Sequence, residues 1–412
     1  MKLNSLIAMI KPTDHAKIAI TTAGRIAVLI IAYLSTGTSQ AQTSDDAEPG
    51  FTGAMGLQII YDDNIYRSES NQVNDLAFIL TPNLDFIGVF SKHRLDIGYS
   101  GAYASYSDNS DESFNDSKFN FDFLMDLSSK FTSTLGASYV MAHDSRGSSG
   151  TSTLQSLEPD TWDELGYYLD MTYGRRTSQA QVQVKYVGNS RQYTNNNQSL
   201  RDRGSGSVLL TAFYNSSARS SYLLEIRSKT ISYTEANSTD RDSTETSYFL
   251  GSRWDFTGIT TGNFRFGSLN KDLQGDVDLN GNTLEDFSGF VAEGSVEWTP
   301  KRNSKFVFGV TRKANESSEE QSSYFISNML NLSWQRDISS ILAFNTSIGY
   351  QNDEFSSGRS DDHLHVSFRG GYDITDRANM GLNYSYGSRS STLVGSDYSS
   401  NVLVLTGTFT TK

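Results

Sequence analysis

From Phe51 to Phe409 the chain repeats one motif, a run of roughly ten residues in which apolar and polar side chains alternate, followed by a polar connector. Phe119, Phe121, Phe123, Met125 and Leu127 alternate with Asn120, Asp122, Leu124 and Asp126. Leu165, Tyr167, Leu169, Met171 and Tyr173 alternate with Gly166, Tyr168, Asp170 and Thr172. Leu364, Val366, Phe368, Gly370 and Tyr372 alternate with His365, Ser367, Arg369 and Gly371. A period of two sends successive side chains to opposite faces of a strand. The connectors alternate as well. Tight joins at Ser128-Ser129-Lys130, Thr257-Gly258-Ile259 and Thr375-Asp376-Arg377 take turns with acidic connectors such as Ser107–Asp116 and Asp353–Asp362.

A soluble sandwich has no reason to sort its loops by length, whereas a barrel crossing one bilayer has short periplasmic turns and longer external loops. The pattern therefore predicts an all-β transmembrane antiparallel up-and-down barrel of about 18 strands in the outer membrane of a Gram-negative bacterium. A count of about 16 is the alternative, because the segments near Gly206–Tyr214 and Gln321–Gln335 keep poor parity. An even count leaves both termini in the periplasm. Tyr103, Trp254, Trp298, Trp334 and Tyr350 lie where interfacial aromatic girdles are expected.

The composition looks soluble, with a mean hydropathy of -0.44 and 37% hydrophobic residues. A barrel escapes that test, since only every second residue need face lipid. Cys is absent, so neither a disulfide nor a thiolate metal site is available. The N-terminus reads as a secretory signal over residues 1–41: Lys11, Lys17 and Arg25 are basic, Ile26–Leu34 is apolar, and Ser39-Gln40-Ala41 offers a small-residue cleavage site. A short periplasmic segment, 42–50, then leads into the barrel, 51–412. Loss of a basic leader makes the mature chain more acidic than the net charge of -13, which argues against a nucleic-acid partner.

Tyr61-Asp62-Asp63-Asn64-Ile65-Tyr66-Arg67, followed by Thr81-Pro82-Asn83-Leu84-Asp85-Phe86, resembles the opening of the β-barrel porin-2 family. Members of that family are outer-membrane barrels, many associated with exopolysaccharide production loci, so the resemblance implies a part in polysaccharide export. The last strand, with Leu403, Leu405, Gly407 and Phe409 on one face, looks like the C-terminal recognition signal of such barrels, although Lys412 replaces a final aromatic. Insertion by the barrel assembly machinery is expected.

Candidate pore-lining residues carry both signs: Lys185, Arg227, Lys229, Arg253, Arg265 and Arg369 against Asp122, Asp170, Glu225, Asp255 and Glu293, with His365 beside them. A turn centred near Ile259 would set Arg253 opposite Arg265. Facing like charges are unfavourable across strands. Two readings follow, an anion-guiding stripe or a solvated wall neutralised by Asp255 and its neighbours. The longest connector, His143 to Glu164, is the third external loop. Folded inward, it would bring Glu158, Asp160, Asp163 and Glu164 to an acidic constriction; the alternative is a mobile outer loop.

Asp276-Val277-Asp278-Leu279-Asn280-Gly281-Asn282 matches the start of a calcium loop, with Asp276, Asp278, Asn280 and Asn282 supplying oxygens. Phe287 takes the place of the distal Glu, so the choice lies between weak Ca²⁺ binding and a solvated acidic turn. No other cofactor is expected. His363 and His365 share a strand face, but no G-x-S-x-G or H-E-x-x-H motif accompanies them, and the chain does not read as an enzyme.

The expectation is a passive pore, or pore accessory, for exopolysaccharide or capsule export, working with separate periplasmic export components. A general diffusion porin for small hydrophilic solutes is the first alternative. The second is a structural or adhesive surface barrel whose acidic loops bridge through divalent cations to lipopolysaccharide.

Overall fold

The computed structural model describes residues 49–149, 158–235, 241–255, 258–277, 281, 283–319 and 322–411. The leader assigned to 1–41, most of 42–50, and Lys412 lie outside them. Eighteen strands follow one another: β1 Gly50–Asp62, β2 Asp75–Phe90, β3 His93–Tyr106, β4 Asn115–Asp126, β5 Phe131–His143, β6 Thr161–Tyr173, β7 Ala180–Tyr193, β8 Arg203–Ser217 and β9 Ser220–Tyr233 in the first half. The second half holds β10 Ser243–Asp255, β11 Thr260–Leu273, β12 Phe287–Lys301, β13 Ser304–Glu316, β14 Tyr324–Asp337, β15 Leu342–Phe355, β16 Ser360–Thr375, β17 Ala378–Ser391 and β18 Tyr398–Thr410. Each strand pairs antiparallel with its neighbour in sequence, and β1 pairs with β18 from Ala54↔Thr410 to Asp62↔Val402. The sheet is thus a closed barrel with no free edge.

The joins are sorted as the sequence implies. One rim carries 91–92, 127–130, 174–179, 218–219, 256–259, 302–303, 338–341 and 376–377, together with the start of β1 and the end of β18. The other rim carries 63–74, 107–114, 144–160, 194–202, 234–242, 274–286 and 317–323, with shorter joins at 356–359 and 392–397. The first rim is periplasmic and the second extracellular.

Register assigns the faces. Leu57, Phe78, Tyr99, Phe121, Leu135, Leu169 and Tyr186 share one outward row around the first strands. Outward side chains such as Leu57 (61% exposed) and Leu224 (52% exposed) form an apolar belt that only lipid can cover. Near the periplasmic rim Trp298, Phe306 and Trp334 stack in a row, with centroids 5.2 and 6.0 Å apart, as an interfacial girdle. No described helix is long and apolar enough to cross a membrane.

One detail of the sequence reading needs correction. The acidic connector Asp353–Asp362 is mostly strand: β15 runs to Phe355 and β16 starts at Ser360, which leaves only 356–359 as loop. Asp353 and Asp361 are fully buried in the lumen because donors there satisfy them. Gln351 Nε2 reaches Asp353 at 2.7 Å, and Arg359 Nε reaches Asp361 at 2.8 Å. The strand count is eighteen, and the poor parity near Gly206–Tyr214 and Gln321–Gln335 has a physical cause. Leu209 and Phe213 on β8 are apolar yet lumenal and buried. Above Ala292↔Arg312, β13 no longer pairs with β12, and Tyr324, Phe325 and Ile326 at the top of β14 are all buried.

The orientation predicts a labelling pattern. Single cysteines at exposed Ser110 and Ser357 are expected to react with a membrane-impermeant maleimide on intact cells, whereas one at Ser129 reacts only after lysis. Labelling of Ser129 on intact cells would reverse the assignment of the two rims.

Candidate functional site

All ten residues proposed to line the pore fall on the lumenal register: Asp122, Asp170, Lys185, Arg227, Arg253, Asp255, Arg265, Glu293, His365 and Arg369. Their surroundings differ around the barrel. On β9 to β12 the charges cancel in a compact quartet. Arg265 Nη1 contacts Glu225 Oε2 at 3.0 Å and its Nε contacts Glu293 Oε2 at 2.9 Å. Arg227 reaches the other oxygens of the same carboxylates, Glu225 at 2.9 Å and Glu293 at 3.3 Å. A second tier lies toward the extracellular side. Fully buried Lys271 meets Glu316 at 2.6 Å and Glu245 at 3.2 Å, Lys229 meets Glu245 at 3.3 Å, and Tyr233 OH donates to Glu316 at 2.8 Å. Lys271 and Glu316 carry no local signal in the sequence, because Lys271 lies between Leu269 and Leu273 on its own face and Glu316 lies beyond the last pairing of β13 with β12.

The expected Arg253–Arg265 face-off does not occur. Arg253 pairs with Asn263, and Arg265 pairs with Gly251. The turn is centred on Gly258, whose φ of +70° occupies the left-handed region open to glycine, one residue before the centre assumed at Ile259. That one-residue difference moves the cross-strand partner by two, which keeps the face and changes the neighbour. Asp255 does not neutralise Arg253 either; the guanidinium instead reaches Gln181 Oε1 at 2.6 Å and lies over the Phe213 ring at 3.9 Å.

Across the lumen, β3 to β7 carry a second charged wall. Asp96 and Asp122 face each other directly in register; Arg94 Nε holds Asp96 at 2.9 Å, and Tyr168 OH donates to Asp122. Tyr168 lies across Gly136, where a Cβ would collide with its ring. Lys185 Nζ sits over that ring at 4.7 Å, while Gln183 satisfies Asp170 at 2.7 and 2.9 Å. The remaining arc, β14 to β18 and β1, is different in kind. Its lumenal middle presents Asn331, Asn345, Ser347, Ser367, Asn383, Ser385, Thr406 and Gln58, with Arg369 and His365 as the ionisable exceptions. Ser347 and Ser367 share a hydrogen bond of 2.7 Å.

Toward the outside the lumen fills. Ile79 and Ala104 pack with Phe114 from the 107–114 loop, and Phe249, Leu269 and Val291 form a second buried apolar cluster. The third external loop crosses to the far wall. Arg146 pairs with Glu112, Arg389 and Tyr398 donate to Gly147 O, and Ser149 Oγ donates to Asp353 and lies 2.9 Å from His363 Nε2. Ser149, His363 and Asp353 do not form a nucleophile relay. Asp353 stands 3.7 Å from the same Nε2 that meets the serine, so it cannot orient the imidazole from Nδ1. The trio ties the 144–149 segment to β15 and β16.

Inward folding is thus made by 144–149, and not by the acidic residues proposed for a constriction. Glu158 accepts from Asn195, and Asp160 pairs with Arg201 at 3.0 Å. Asp163 and Glu164 belong to β6. Asp163 is outside, accepting from Tyr139 OH at 2.9 Å, and Glu164 pairs with Arg191 at 2.8 Å. The acids are therefore spent on neighbouring strands and loops. Other loops interlock similarly, since Arg241 donates to Ser322 O at 3.1 Å and Arg359 pairs with Glu319. In the proposed calcium loop, Asp278, Asn280 and Asn282 lie outside the described residues. Asp276 and Gly281 are described, and Val277 and Thr283 form an isolated antiparallel bridge.

A closed, lipid-belted barrel with a polar and charged interior defines an outer-membrane β-barrel of the porin class. Residues 51–410 match the family described as "Putative beta-barrel porin 2", and the chain belongs to that family. No curated protein matches. Among solved structures, the chain is similar to Pseudomonas aeruginosa OpdK with vanillate, at 11% identity and a TM-score of 0.47 over 87% of this chain and 98% of that one. It is also similar to Pseudomonas aeruginosa OccK3 (12%, TM-score 0.47, 88% and 96%) and Acinetobacter baumannii OccAB3 (11%, TM-score 0.45, 87% and 98%).

Proposed function

We propose that this barrel is a passive outer-membrane channel for saccharide chains on their way out of the cell, with its outer mouth latched by the third external loop. The observation that carries the reading is the neutral arc of the lumen on β14 to β18 and β1. Hydroxyls and amides there offer many equivalent, weak hydrogen bonds, which suit a chain of sugar hydroxyls. Weak, repeated contacts let a polymer advance without being held. Barrels of about 16 to 18 strands are wide enough for an aqueous channel. The driving force would come from periplasmic export components, and the belt would sit in outer-membrane lipid and lipopolysaccharide.

Deletion of the gene is expected to trap polysaccharide in the periplasm and deplete it at the surface, measured by glycan quantification in the two fractions. Unchanged surface polysaccharide together with slower uptake of small hydrophilic solutes would replace this reading with a general diffusion porin.

A further inference from the structure

Charge is distributed along the barrel axis as unevenly as loop length. The external loops are acidic, with Asp63, Asp108, Asp111, Asp202 and Glu285 among their residues. The periplasmic turns are basic: Lys130, Arg175, Arg176, Arg219, Arg302 and Arg377 are all exposed there, and Asp376 is the one carboxylate among the described residues of those turns. Such a rim attracts anions from the periplasmic side and does so most strongly at low salt.

The positive rim continues into the lumen at Arg253. Arg253 is at the periplasmic end of β10 and faces inward. Its side chain extends sideways along the wall, with Nε donating to Ser221 Oγ at 3.3 Å, the guanidinium over Phe213, and Nη2 donating to Gln181 Oε1 at 2.6 Å. Arg227 and Arg265, by contrast, each touch two carboxylates. Arg253 makes no ion pair with a described residue, and its partner Gln181 also donates to Gly174 O at 3.2 Å, which ties the guanidinium to the 174–179 turn that carries exposed Arg176. The entrance therefore carries one guanidinium held in place by neutral partners beside a turn that bears a second, exposed one, and no described carboxylate pairs with either. Planar guanidiniums bind carboxylates in a fork geometry that a lysine cannot supply.

We propose that Arg253 and Arg176 form an anion-binding subsite at the periplasmic entrance, which takes the carboxylates of an acidic saccharide chain. The proposal rests on the saccharide-channel reading and narrows its substrate to uronate-bearing glycans. Lipid headgroups are the less favoured ligand because Arg253 points into the lumen, behind the sheet. The basic turns gather the polymer, the subsite engages successive carboxylates, and the neutral arc above carries the chain onward.

The test is calorimetric titration of the full chain, folded in neutral detergent, with oligogalacturonate and with a neutral malto-oligosaccharide of equal length. Oligogalacturonate is expected to bind at least about tenfold more tightly than the neutral chain, with an affinity that falls as salt is added. R176Q/R253Q is expected to lose about tenfold in affinity, R176K/R253K to lose less, and K305Q, whose lysine is paired with Glu297, to bind as wild type. Equal binding by wild type and R176Q/R253Q overturns the subsite. So does a double variant that loses only its binding to phosphatidylglycerol vesicles. If R176Q/R253Q fails to fold, salt-insensitive binding by the wild type overturns it instead. Retained, arginine-dependent binding in a protein whose deletion leaves surface polysaccharide unchanged would sink the export reading and leave the subsite standing.

Discussion

Glu293→Ala is expected to destabilise the barrel by about 3–5 kcal/mol, the cost of stranding buried charges whose partner has been removed. Glu293 is the shared acceptor of Arg227 and Arg265, and its loss leaves two guanidiniums competing for Glu225. The side chains of Glu225, Arg265, Glu293 and Arg227 are only 4%, 9%, 14% and 22% exposed, so water can do little to replace the lost carboxylate. Unfolding by urea in detergent micelles, followed by heat-modifiable gel migration, measures the effect. A companion variant sharpens the test. Replacing all four members with apolar residues of similar size removes the attraction and the desolvation cost together, and is expected to restore most of the stability. If Glu293→Ala unfolds at the wild-type midpoint, the quartet is a solvated surface feature and not part of the barrel's support.

The architecture was legible because its rule is repetitive. Alternation along segments such as Phe119–Leu127 and Leu364–Tyr372 assigns the lipid face without knowledge of any partner strand, and the alternating connectors assign the rims. Legibility ended wherever a lumenal residue is not polar or a pairing partner is not adjacent. Phe325 breaks the parity because the outer half of the lumen is packed, and Leu209 and Phe213 break it at the middle and periplasmic end of β8, where the Arg253 guanidinium covers the Phe213 ring. The identity of each ion pair needed the register. A turn centred on Gly258 in place of Ile259 turns a supposed pair of repelling arginines into one arginine balanced by two glutamates and another left without any. Contacts such as Ser149 with Asp353, separated by 204 residues, have no local trace in sequence at all.

Opening that long-range contact gives the second large effect. The 144–149 segment is held across the mouth by three anchors that reach the 107–114 loop and four strands: Arg146 with Glu112, Gly147 O with Arg389 and Tyr398, and Ser149 with Asp353 and His363. Each buried hydrogen bond lost without replacement costs about 1–3 kcal/mol, so removing two anchors shifts the balance strongly toward release. Arg146→Ala with Asp353→Ala is therefore expected to raise single-channel conductance severalfold in a planar bilayer, while the strands and the periplasmic rim stay as they are. Asp353→Asn alone keeps the acceptor for Ser149 and is expected to change conductance little. The loop reaches its anchors from β5 on one side of the lumen to β15 and β16 on the other, so its release removes material from the middle of the mouth and not from its edge. If the double variant conducts like the wild type while remaining folded, the segment does not limit the pore, and the apolar clusters around Phe114 and Phe249 become the obstruction to remove next.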